Sequence, residues 1–276
     1  MRARRGAASL VRCLAPAAAL YTVLAAAPAR AQDFERAGPA GPAHGPVAFL
    51  DSGLAPADGA PSAAALGITR YALPELATRA VAAGAGWRSL RVAVGFSQTG
   101  DPDLGWNALG AAAGVANARW GAGVRGIARR DRTVLDPAAR WGGEVGAGAW
   151  LSLDAPLVVW AAAPAAWTAG GAPPLLRGFA MGALAFTDGA RIWFEHEARP
   201  EALPARAAHR AGVALEAGVF ALWVEGLDAP LRAGLGLEAR AGALRIEAAM
   251  ESHPLLGETV RASLALGGAR RGGGVP

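Results

Sequence analysis

The stretch LRAGLGLEARAGALRIEAAMESHPLLGETVRASLAL, residues 231–266, decides the fold. In its first run Leu231, Ala233, Leu235 and Leu237 alternate with Arg232, Gly234, Gly236 and Glu238. After Ala241-Gly242, Leu244, Ile246 and Ala248 alternate with Arg245, Glu247 and Ala249. After the loop His253-Pro254-Leu255-Leu256-Gly257, Val260, Ala262, Leu264 and Leu266 alternate with Arg261, Ser263 and Ala265. Successive side chains of a strand point to opposite faces, so each run has one apolar face and one charged or tiny face. Repeated period-2 runs of about nine residues are the pattern of a membrane-spanning β-barrel. A soluble sandwich carries the same pattern, and the connections separate the two.

From Ala77 to Leu266 the chain falls into a series of such runs. Tight turns at Arg88-Ser89, Asn117-Ala118, 154–156, Asp188-Gly189, Ala217-Gly218 and Ala241-Gly242 alternate with longer connections at 98–104, 129–142, 164–174, 198–204, 227–230 and 252–258. Barrels of the outer membrane alternate short turns on one side with long loops on the other, and a sandwich has no reason to. Thirteen runs are visible from Ala77 onward, and a closed antiparallel barrel with both ends on the short-turn side needs an even number. One more strand, from Val47–Asp51 or from Ala63–Tyr71, therefore completes it. The expected fold is all-β, an antiparallel transmembrane barrel of about fourteen strands, with twelve as the fallback. The expected layout is a signal peptide over 1–31, an irregular segment over 32–62, the barrel over 63–267 and a flexible tail over 268–276.

The address comes from the N-terminus. Arg2, Arg4, Arg5 and Arg12 precede an apolar run from Leu14 to Pro28, and Ala29-Arg30-Ala31 supplies a small-x-small cleavage site. This is a secretory signal cleaved after Ala31. The whole chain has 27 basic and 22 acidic residues; residues 1–31 hold five Arg and no acid, which leaves 27 − 5 = 22 against 22. A mature chain with no net charge gives no reason to expect nucleic acid as a partner. The single cysteine, Cys13, falls in the signal, so the mature chain has no disulfide and no Cys-metal site. A spanning helix over 155–176 is excluded by Pro156, Pro164, Pro173, Pro174 and Gly170-Gly171.

No catalytic set is visible. Gly121-Ala-Gly123-Val-Arg-Gly126 matches a dinucleotide fingerprint but lies inside a strand, where the motif has no meaning. His44, His196, His209 and His253 are not spaced as ligands on one element, so no metal or other cofactor is expected. Ser252-His253 are adjacent in an extended loop and would face apart. Asp101-Pro102-Asp103 reads as solvated loop acid. Trp87, Trp106, Trp120 and Trp150 fall at strand ends, where an interfacial girdle sits, whereas Trp160, Trp193 and Trp223 fall mid-strand and read as fillers.

The polar faces carry Arg91, Arg125, Glu144, Arg177, Arg191, Glu195, Glu197, Arg232, Glu238, Arg245, Glu247 and Arg261. These are the expected lumen-facing residues, with Leu235, Leu244, Ile246 and Leu264 facing lipid. Both signs are mixed, which fits cross-strand pairs that fill the lumen, or a polar channel. The expected role is non-enzymatic passage of small or hydrophobic molecules across the outer membrane, or a part in secretion to the cell surface. The alternative is a soluble periplasmic β-sandwich binding module.

Two stretches carry a family likeness. Tyr71-Ala-Leu-Pro-Glu-Leu76 resembles the segment that opens the barrel in PorV/PorQ-type outer-membrane proteins of the FadL-like group. Glu251-Ser-His-Pro-Leu-Leu-Gly-Glu-Thr-Val-Arg-Ala-Ser-Leu264 is similar to that group's closing hairpin. The family's N-terminal Asn-Pro-Ala-Gly-Leu segment is not visible beyond Asp51-Ser-Gly-Leu54, and the chain runs past Leu266 without a terminal aromatic. The resemblance implies an outer-membrane barrel whose partners are membrane lipid, the barrel-assembly machinery, and a hydrophobic small molecule or a secretion partner.

Overall fold

The structure, a computed structural model, describes residues 45–100, 105–133, 136–153, 156–170, 179–199, 206–228, 231–254 and 256–267. Among the described residues a helix, α1 (Gly45–Ser52), precedes fourteen strands: β1 (Ser62–Arg70), β2 (Leu73–Trp87), β3 (Leu90–Gly100), β4 (Gly105–Ala116), β5 (Trp120–Thr133), β6 (Asp136–Leu153), β7 (Leu157–Gly170), β8 (Ala180–Thr187), β9 (Ala190–Arg199), β10 (Arg206–Ala217), β11 (Phe220–Asp228), β12 (Leu231–Ala241), β13 (Leu244–His253) and β14 (Gly257–Gly267). Each strand pairs with its chain neighbours, and β1 pairs antiparallel with β14, so the sheet closes on itself. The fold is a closed antiparallel barrel of fourteen strands. The stretch Ala63–Tyr71 supplies the strand that parity demands, as β1. The other candidate, Val47–Asp51, is not a strand and lies in α1.

Ser62 pairs with both Gly267 and Gly84, so the start of β1, the end of β14 and the turns at 88–89, 117–119, 188–189, 218–219 and 242–243 share one end, the near end. The far-end connections vary more than the sequence suggests. Tyr71 and Ala72 form a tight turn there, both at φ 55. The expected loop at 129–142 is mostly strand: Arg129 pairs with Gly142 and Arg130 with Trp141, and β4 keeps pace, with Gly105 registered with Arg132. Strand β7 likewise runs through part of the expected 164–174 loop to Gly170. The hydrophobic alternation fades in these extensions because Arg129 to Thr133 put polar groups on both faces of β5, and Ala165-Ala166 put the same side chain on both faces of β7, although the hydrogen bonding continues.

The outer face is apolar. Val81, Phe96, Leu109, Val124, Ile192, Phe194, Leu222, Leu235, Ile246 and Leu264 are all exposed, on strands around the whole barrel. A continuous belt of this kind is not stable against water, whereas hydrocarbon solvates it and the closed sheet leaves no backbone group unpaired. Leu244 is also on an outward row, but it is the first residue of β13, beside the near-end turn. An arginine there reaches the interface easily, so Leu235 in mid-strand is the sharper probe of the lipid face.

Trp87 and Trp120 stand outward at the near rim, and Trp141 and Trp167 outward towards the far rim, as an interfacial girdle does. Trp150 does not join it. Its position in β6 has inward parity, and it is buried inside. Trp106 lies on the inner row of β4, with Ala108, Gly110 and Ala112. The mid-strand Trp160, Trp193 and Trp223 are buried inside, each across a glycine of the next strand: Gly182, Gly212 and Gly236 respectively. A Cβ at Gly212 or Gly236 would collide with the facing indole ring. Trp193 and Trp223 meet edge to face, with centroids 6.5 Å apart.

Candidate functional site

The inside of the barrel holds two different constructions. The first is built around α1. Pro46 occupies the start of the helix, where a missing N–H costs nothing, and Gly53 ends it at φ 75. The Gly53 N–H donates to the Phe49 carbonyl at 2.9 Å, and Ser52 Oγ donates to the Ala48 carbonyl at 2.8 Å. The helix packs against the inner wall of β1 to β7, with Phe49, Leu50, Leu54 and Ala55 buried. The wall makes room with glycines. A Cβ at Gly123 would lie 2.6 Å from the Phe49 ring, and one at Gly148 would lie 2.8 Å from the Ser52 carbonyl oxygen.

Wall side chains then tether the backbone that follows. Arg125 Nη1 donates to the Leu50 carbonyl at 2.9 Å, a helix C-terminal acceptor with a partial negative charge. Trp150 Nε1 donates to the Ala55 carbonyl at 2.7 Å. Arg91 Nε and Nη2 donate to the carbonyls of Pro56 and Ala57 at 2.9 and 2.8 Å. The Gly86 N–H donates to the Gly59 carbonyl at 2.8 Å. Arg125 also donates from Nε to the Pro164 carbonyl at 2.8 Å and pairs with the Glu144 carboxylate. Residues 45–59 thus form a plug that is fastened, not merely packed.

The second construction is an ion-paired wall on β9 to β14. Arg191 Nε lies 2.8 Å from Glu216 and its Nη2 3.8 Å from Glu238. Arg210 stands 3.4 Å from Glu225, and Arg261 Nη2 donates to Glu251 Oε2 at 3.2 Å. Arg232 pairs with the other oxygen of Glu251, and Arg240 with Glu238. The neighbouring-strand pairs are mostly diagonal. Arg210 is registered with Leu227 and Glu225 with Gly212; Arg261 is registered with Ala249 and Glu251 with Thr259. Long side chains reach a partner two residues along the next strand, and strand tilt brings such diagonals towards one level around the barrel.

Of the residues singled out by sequence, Arg91, Arg125 and Glu144 lie inside the plugged half. Arg191, Glu195, Glu197, Arg232, Glu238 and Arg261 are buried on inner rows of the other half. Arg245 and Glu247 are half-buried on the inner row of β13 that Glu251 shares. Arg177 lies outside the described residues, as do Asp101 and Asp103. The sequence reading omitted Arg210, Glu225, Arg240 and Glu251, all on inner rows by the same parity. Runs of alanine such as Ala207-Ala208 and Ala248-Ala249 present the same side chain on both faces and hide that parity.

The two motif-like stretches meet at the far end of the closing seam. The Ala72 N–H donates to the Glu258 carbonyl at 2.9 Å, and the Tyr71 ring stands edge-on to the His253 ring, 5.8 Å between centroids. His253 Nδ1 accepts from the Leu256 N–H at 3.1 Å. Ser252 is exposed while His253 is buried inside, so the adjacent pair divides between two faces. Gly121–Gly126 lies within β5, under Trp150 and Phe49. His196 and His209 are cross-strand partners towards the outer wall, 4.9 Å between ring centroids, and His209 bonds Asp228. Among the described residues, no three His, Cys, Asp or Glu side chains are placed to hold a metal ion, and no helix is long and apolar enough to cross a membrane.

No protein-family description matches the chain, and no curated protein matches it. Solved structures do resemble it. A mutant of the Rhodopseudomonas blastica porin aligns at 10% identity with a TM-score of 0.42, over 75% of this chain and 98% of the porin. The Acinetobacter baumannii outer membrane protein Omp33 aligns at 9% identity with a TM-score of 0.46, over 75% of this chain and 96% of that one. At such values the likeness carries no cargo or mechanism across, and function rests on the geometry of this barrel alone.

Proposed function

We propose that the protein is a non-enzymatic outer-membrane channel for small polar solutes, closed on one side of its lumen by the plug 45–59. The observation that carries this reading is the division of the lumen. A fastened plug lies against β1 to β7, and a wall of paired charges runs along β9 to β14. A path opened between the two would have fixed dipoles of both signs, which suits neutral or zwitterionic polar solutes. The same wall disfavours the hydrophobic cargo that the motif resemblance implies, and a secretion role rests on that resemblance alone. Export with cleavage after Ala31, insertion by the assembly machinery, a near end facing the periplasm and a far end facing outwards complete the proposal; the short near-end turns support this orientation.

The test is electrical. Purified protein is reconstituted in planar bilayers beside a variant lacking residues 45–58. The expected result is a conductance several-fold larger in the deletion, with cation and anion permeabilities within about a factor of two of each other. Silent bilayers with both proteins, each shown to be inserted, would overturn the channel reading.

A further inference from the structure

One row of outward side chains departs from the apolar belt. In β2 to β6, Arg79 is registered with Gln98, Gln98 with Asn107, Asn107 with Arg130 and Arg130 with Trp141. Arg79, Gln98, Asn107 and Trp141 are exposed on the outer wall, and Arg130 is half-exposed with its guanidinium 5.7 Å from the centre of the Trp141 ring. The next outward row towards the near end is Val81, Phe96, Leu109, Ala128 and Gly143, again in continuous register. The edge between apolar and polar wall therefore runs along five strands and carries two arginines, two amides and an indole, with no acid in the row. Glu75 lies on the same face of β2, two outward positions farther on.

The opposite side of the far rim differs. Its exposed polar residues include Asp228 on β11, Ser252 on β13 and Glu258 on β14. The outward arginines described at this boundary, Arg79 and Arg130, both stand on the β2 to β6 side of the barrel. Neighbouring strands are about 4.8 Å apart, so Arg79 and Arg130, three strand gaps apart, are separated by roughly 14 Å along the row. Arginine forks match phosphate oxygens, amides bond hydroxyl and carbonyl groups, and a tryptophan at this depth seats an amphiphile at the interface.

We propose that the far-rim outer wall of β2 to β6 binds the phosphate-bearing headgroup of an anionic lipid, with its acyl chains laid on Val81, Phe96 and Leu109. The site rests on the reading that the barrel spans a membrane. The lipid contributes both halves of the match, since free phosphate would use the arginines and leave the apolar row below without a partner. The arginines position the headgroup, and the row orients the barrel relative to the outer leaflet.

The full chain is purified in a neutral detergent and offered phosphatidylglycerol, phosphatidylcholine or inorganic phosphate, and retained lipid is counted by native mass spectrometry. Membrane insertion of each protein is measured separately by flotation with vesicles. The wild type is expected to retain phosphatidylglycerol on the order of tenfold or more over phosphatidylcholine. Inorganic phosphate at the same concentration should not displace the lipid. The double variant R79Q/R130Q should float with vesicles normally and lose that preference, while R88Q, at the near-end turn, keeps it. Equal retention of both lipids by the wild type, an unchanged preference in R79Q/R130Q, or displacement by free phosphate would overturn the site while leaving the membrane reading intact. A wild type that fails to float would overturn both.

Discussion

The two halves of the lumen solve the same problem with different materials. Both must fill the inside of a closed sheet whose outer face is committed to apolar contacts. On β1 to β7 the wall is thinned with glycine at positions such as Gly123 and Gly148, and a short helix takes up the space. On β9 to β14 the wall is thickened with Arg, Glu and Trp, and the side chains fill the space themselves. In the first half the arginines serve the backbone: Arg91 and Arg125 satisfy carbonyls that a buried loop would otherwise leave bare. In the second half they serve one another's counter-charges. The difference teaches that a lumenal arginine has no fixed meaning. The residue opposite it, small or acidic, decides whether it holds a removable part or stiffens the wall.

The comparison makes separable claims, and the largest expected effect lies in the ion-paired half. Glu251 accepts from both Arg232 and Arg261, and all three side chains are buried. Glu251→Ala leaves two buried guanidinium groups without their shared carboxylate, at a cost of about 3–5 kcal/mol. The urea midpoint of the barrel refolded in vesicles should fall accordingly, while protease access to residues 53–59 stays as in the wild type. A variant that exposes the plug instead would show that the two halves are not independent.

Arg125→Met tests the reverse. It removes the donors to the Leu50 and Pro164 carbonyls and leaves Glu144 with the more distant Arg129, 4.0 Å away, a loss of about 2–4 kcal/mol concentrated on the plug. The plug should become protease-sensitive and the channel noisy, with the barrel still resistant to dissociation in cold detergent. Loss of the barrel itself would sink the division of labour.

Trp150→Phe is the finest probe. It keeps most of the ring and removes one hydrogen bond, to the Ala55 carbonyl, worth about 1 kcal/mol. A roughly fivefold rise in the rate of plug opening, read as conductance transitions, is expected with no change in the urea midpoint.

How much of this was legible follows from what each part asks of the sequence. Strand alternation is a two-state signal repeated along the chain, and it showed the closed all-β barrel and its strand number. The inner residues followed wherever the two faces differed in kind, as in Leu235 against Gly236, and were lost where alanine filled both. The helix was the main miss. Eight residues carry too little periodicity, and Val47, Phe49 and Leu50 look strand-like when read alone. The signs were present at its edges: Pro46 just inside the start and Gly53 just past the end. The plug's partners were illegible for another reason. Arg91, Arg125 and Trp150 donate to backbone carbonyls, and a carbonyl leaves no mark in the choice of side chain.

The tethers also fix an order of events. Pro56 meets Arg91 across 35 residues, Leu50 meets Arg125 across 75 and Ala55 meets Trp150 across 95. Each partner lies later in the chain than the segment it holds. The earlier segment therefore has nothing to hold it until β3, β5 and β6 are in place. Contacts so distant in sequence carry a closure entropy that only a nearly complete wall can offset. The plug is made early and seated late, and the sheet that curls around it becomes its mould.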